Sequence, residues 1–251
     1  MPNATPSGPV TPSEQAYRPS KETGPGQKRI FNPELFELVS GTAYTALMTN
    51  LLIVLTCAPF IVLLMTTDPV AAWPALVLSS ILIAPALTGA FAAFQMFSNQ
   101  DGTSVIRTFF RAWWHNLRRS LPIGIGLAAV LFIIMLNLQF FLTERLGALI
   151  IPIQVMLLVV AVVTALISLV GIVELPGVPL RDVLKNAILL GVRKWYLTVP
   201  ALVVLGLLIA IIVQQPAIGL GVMLAPFLYA IWGACRYALK PILVNDEEPA
   251  S

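Results

Sequence analysis

Six stretches of this chain contain no Asp, Glu, Lys, Arg or His: 45–65, 71–97, 121–142, 149–173, 195–213 and 217–235. Each is 19 to 27 residues long, and a helix needs about 20 apolar residues to cross a hydrocarbon core of about 30 Å. Only helices and closed barrels satisfy their backbone polar groups in lipid, and barrel strands would be shorter and would alternate. The pattern predicts an all-α fold, a polytopic membrane helix bundle with six transmembrane helices. The second stretch is long enough to tilt, or to kink near Pro74 or Pro85. Composition agrees: 58% of the 251 residues are apolar and 11% charged, with mean hydropathy +0.88, whereas a soluble domain is about a quarter charged. The net charge of +3 is therefore no argument for nucleic-acid binding.

The ends differ from the middle. Residues 1–29 carry Pro2, Pro6, Pro9, Pro12, Pro19 and Pro25 among Ser, Thr, Gly and Gln, too little apolar area to offset ordering entropy. They read as a disordered cytoplasmic tail without the apolar core of a secretory signal. The membrane domain is expected over 30–244, opening on an Asn32-Pro33-Glu34 helix start, and a short acidic cytoplasmic tail over 245–251. With the tail inside, every basic residue among the 15 except Arg145 falls on the inner side. The positive-inside rule then puts both termini in the cytoplasm of a bacterial plasma membrane.

Two inner loops are predicted to form amphipathic helices on the cytoplasmic face. Over 103–120, Arg107, Arg111, His115 and Arg118 form a basic stripe, with Arg119 next in sequence as a further candidate contact, opposite Val105, Phe109, Phe110, Trp113, Trp114 and Leu117. Arg and Trp suit an anionic lipid interface, each basic contact giving about 1 kcal/mol. Over 179–194, Arg181, Lys185, Arg193 and Lys194 repeat the theme. Ile106-Arg107-Thr108-Phe109-Phe110-Arg111 aligns with Leu180-Arg181-Asp182-Val183-Leu184-Lys185 at an offset of 74. The same offset lays the second span on the fourth and the third on the fifth, which implies a parallel internal repeat.

Some of these residues resemble a known family. Asn50-Leu51-Leu52 with Pro59, Ala84-Pro85-Ala86-Leu87-Thr88-Gly89-Ala90, Asp101-Gly102, Phe109-Phe110-Arg111-Ala112-Trp113 and Asn116-Leu117-Arg118-Arg119 resemble the YesL-like bacterial membrane proteins. The resemblance is densest over 45–125. It implies an integral membrane protein without defined catalytic residues, often found beside carbohydrate ABC-transporter genes. The Pro-rich tail and the Trp113-Trp114 pair depart from the usual short form.

Chemistry has little to use. The single histidine, His115, cannot supply a zinc site, and Cys57 and Cys235 read as small buried residues. No phosphate-binding loop, dinucleotide fingerprint or pair of intramembrane carboxylates is present. The expectation is a protein that is not an enzyme and takes no cofactor. Glu174, at the inner end of the fourth span, is read as reaching the headgroups. Asn50, Thr56, Thr88, Gln95, Asn137, Gln139, Gln154, Thr164 and Ser168 are read as bonding between helices. Two functions remain: an accessory or assembly partner of a carbohydrate uptake system, or a carrier or channel for a small neutral solute with a site between the repeats. The expected partners are anionic lipid, an ABC-transporter permease or other membrane protein, and a second copy of the chain.

Overall fold

The computed structural model describes residues 33–100, 103–141 and 147–247. The tail 1–29, the Asn32 cap, the Asp101-Gly102 turn, Arg145 and residues 248–251 lie outside them. The chain divides into two units, Met1–Leu38 and Val39–Ser251, and the packing below is that of the second. Among the described residues every regular element is helical. Four helices are long and apolar enough to cross a membrane, Trp73–Ser98, Val105–Phe140, Ile150–Glu174 and Pro216–Leu239, and the number rises to six if two bent helix pairs each count as one span.

The first bent pair lies where the sequence predicts a plain span at 45–65. Helix α1 (Pro33–Thr56) and α2 (Ala58–Thr66) meet at 71°. Pro59 has no N–H to donate to the carbonyl of Leu55, and its ring crowds that carbonyl. One turn away, Thr56 Oγ1 donates to the carbonyls of Leu52 at 2.8 Å and Ile53 at 3.1 Å, a back-bonding pattern that bends helices. The next span comprises α3 (Trp73–Ser79), a 3₁₀ turn (Ser80–Leu82) and α4 (Ile83–Ser98). Pro74 sits harmlessly in the first turn of α3. Pro85 instead leaves the carbonyl of Ile81 without its usual donor, and the chain tightens at that place.

Helix α4 is the buried centre, with Ala84–Ala86 and Thr88–Phe94 all covered. It packs against α5 (Val105–Phe141), and two glycines set the approach. A Cβ on Gly89 would stand 3.0 Å from the Phe109 ring, and one on Gly124 would stand 2.7 Å from the carbonyl oxygen of Ile81. The sequence separates a surface helix at 103–120 from a span at 121–142, but the structure joins them in one 37-residue helix with Pro122 inside it. Thr108 Oγ1 donates to Met96 Sδ at 3.2 Å and Gly124 lies against Ala84 and Ile81, so α5 runs antiparallel to α4 over this length.

The second repeat-like segment is built differently. Helix α6 (Gly147–Glu174) is followed by α7 (Leu180–Arg193), which folds back antiparallel along it. Val183 meets Gly171, and Gly191 meets Val163, an equal advance on both helices. So α7 lies against the bundle, burying Val183, Ala187 and Leu190, rather than standing apart from it. Helix α8 (Trp195–Gln214) then leaves at 96°. The chain ends in α9 (Pro216–Ile218), a π turn (Gly219–Met223) and α10 (Leu224–Glu247). Asn50 Nδ2 donates to the Gly221 carbonyl in that wide turn at 2.8 Å, tying α1 to the last span.

Candidate functional site

The cationic side chains form two populations. Arg236, Arg119 and Lys194 are used inside the protein. Arg119 Nη1 donates to the carbonyl of Pro176 at 2.8 Å, and its Nη2 donates to that of Val178. This guanidinium therefore ties α5 to the turn between α6 and α7. Lys194 Nζ donates to the carbonyl of Ala238 at 2.9 Å, fastening the α7–α8 junction to α10. Both residues belong to the stripes expected from sequence, and both serve the fold.

Arg236 is the centre of a polar cluster joining α4, α6 and α10. Its Nε lies 3.4 Å from Glu174 Oε2; the glutamate side chain is 4% exposed and the arginine 36%. Gln95 Nε2 donates to the same carboxylate oxygen at 3.1 Å. Arg236 Nη1 donates to Ser98 Oγ at 3.4 Å, and the guanidinium lies 5.1 Å from the Trp232 ring centroid. Phe94 and Tyr229 meet edge to face at 5.5 Å, and Tyr229 stacks near Trp232 at 5.4 Å. Glu174 is thus buried and neutralised by a partner, which corrects the expectation that it reaches the headgroups. Its second oxygen, Oε1, is buried, and the Trp232 indole stands beside the carboxylate. A single carboxylate held by an arginine offers no acid–base pair, and its chemistry is that of a fastener between three helices.

The second population faces outward. Arg107, Arg111, His115 and Arg118 on α5, and Arg181, Lys185 and Arg193 on α7, are exposed. Among the described residues none of them is paired with a carboxylate. Trp114 is also exposed, at 72%, whereas its neighbour Trp113 is half-buried with its Nε1 unpartnered. The apolar face expected for α5 is therefore split. Val105 and Phe109 are buried with Asn116 and Ser120, while Phe110 and Trp114 turn outward.

No protein-family model, curated protein or solved structure matches this chain. The interior between α6, α8 and α10 holds a pocket of about 10 Å³ lined by Val163, Leu166, Ile167, Thr198, Ala201, Leu202 and Cys235, room for about one water molecule. Cys57 and Cys235 are both buried thiols. Sequence reading missed the Gln95–Glu174–Arg236 cluster, although one signal was present. Glu174 and Arg236 are each the first charge after a long apolar stretch, 149–173 and 217–235, and parallel spans bring such positions to one end.

Proposed function

We propose that the chain is an accessory or assembly protein of the bacterial plasma membrane, related to the YesL-like proteins it resembles. It crosses six times, with both termini and the Glu174 end in the cytoplasm. Its basic faces hold an anionic partner such as the permease of a carbohydrate uptake system. The observation that carries this reading is the division of the cations. Those needed for the fold are consumed by carbonyls and by Glu174, and those on the outward faces of α5 and α7 are left for something else.

One contact supports a crossing between Glu174 and Pro216. Arg236 meets Glu174, so the ends of α6 and α10 share a side, and the span Pro216–Leu239 begins on the other; the chain then crosses once within α7 and α8. Exposure supports the internal repeat. At the offset of 74, Phe109 and Val183 are buried at 0% and 4%, and Phe110 and Leu184 are each 39% exposed. The repeat is looser in form, since one copy continues straight into its span and the other turns through 96°.

Purification in mild detergent tests the reading. A sugar permease should co-elute with the wild-type chain and be lost from a variant with Arg107→Glu, Arg111→Glu and Arg118→Glu. Saturable sugar flux into vesicles containing this protein alone would overturn it in favour of a carrier.

A further inference from the structure

We infer that the outward face of α5 is a binding site for an anionic phospholipid, an inference that rests on the reading of these basic residues as a partner surface. The rotation of α5 is fixed because Phe109 lies on Gly89 and Val105 and Ser120 are buried. At 100° per residue, Arg107, Trp114 and Arg118 then share one side of the helix, within about 40° of Ile125 and Phe132. Arg111 lies next to them. Ile125 and Phe132 are exposed apolar residues of the membrane-crossing half. One continuous face is thus apolar where acyl chains lie and cationic further on, with an exposed indole between Arg111 and Arg118.

That face offers acyl chains a path along Ile125 and Phe132 and the phosphate two guanidinium groups, Arg118 next to the apolar stretch and Arg111 beyond it, with the Trp114 indole between them. Indoles favour this interfacial depth, and a fork of guanidinium donors suits phosphate oxygens.

Native mass spectrometry of the full chain, released from micelles carrying equal phosphatidylglycerol and phosphatidylcholine, tests the site. The wild type should retain phosphatidylglycerol over phosphatidylcholine by at least about tenfold, the effect expected of two basic contacts. Arg111→Gln with Arg118→Gln should reduce that preference to about twofold, and Arg181→Gln on α7 should leave it unchanged. If the double variant does not fold, Trp114→Phe and Arg118→Gln alone should each lower the preference measurably. Equal retention of both lipids by the wild type, or a preference unmoved by these variants, would overturn the inference. Displacement of the lipid by millimolar inorganic phosphate would do the same, by making the ligand a free anion. No permease is present in this measurement. A lipid preference without permease co-elution would sink only the assembly reading. Co-elution that depends on Arg111 and Arg118 without lipid preference would sink only this inference.

Discussion

Removing one partner of the Glu174–Arg236 pair has a different cost at each end. Arg236 is about a third exposed and its long stem can carry the guanidinium to water, whereas Glu174 is 4% exposed and cannot follow. Arg236→Met leaves a buried carboxylate beside Gln95 and Trp232 without its cation, and should cost about 3 kcal/mol. Glu174→Gln keeps a neutral group for Gln95 and frees an arginine that can be hydrated, so about 1 kcal/mol is expected. Thermal unfolding of the two variants in the same detergent checks the order, and an equal loss would mean that the arginine's exposure brings no relief. A smaller residue-scale case is Gln100, which closes α4 at φ 56°. That left-handed conformation is strained for a residue with a Cβ and free for glycine. Gln100→Gly should raise stability by up to about 1 kcal/mol, readable as a higher midpoint in the same unfolding scans.

At the scale of elements, the α4–α5 pair depends on where glycine is needed and where it is not. Gly124 faces the backbone carbonyl of Ile81, which cannot step aside as a side chain could; Gly126, two residues on, has nothing within 4 Å. Gly124→Ala should therefore cost about 1–3 kcal/mol, and Gly126→Ala should be neutral or stabilising by up to about 1 kcal/mol. Comparable losses for both would show that propensity, not the close approach, governs this helix. Periodicity and charge made most of the helices legible: the apolar run 195–213 is α8, and the basic run after Leu180 is α7. Local pattern could not reveal the 71° bend between α1 and α2, because proline inside a membrane helix is tolerated as often as it breaks one. It also could not reveal that α5 continues through Pro122. The close approaches at Gly89 and Gly124 are to Phe109 and to Ile81, 20 and 43 residues away in sequence. The outward basic residues were legible as a stripe. Which cations the fold consumes was not, since Arg119 and Lys194 find their carbonyls 57 and 44 residues away.

For the whole molecule, the Glu174–Arg236 contact bears on the topology. The span Trp73–Ser98 puts Asp68 across the membrane from Ser104, and the Glu174–Arg236 contact puts Asp182 across from Gln215. The bend at Cys57 leaves two courses for the start of the bundle: a broken span that delivers Ser40 to the side opposite Asp68, or a re-entrant excursion that returns it to the same side. The proposed six crossings take the first course, and labelling separates the two. Both native thiols are buried, so single cysteines at Ser40, Asp68, Asp182 and Gln215 can be read against a low background with an impermeant maleimide on intact cells. Asp68 and Gln215 should label from outside, and Ser40 and Asp182 only after the membrane is opened. External labelling at Ser40 would make the first pair re-entrant and reduce the crossings to five.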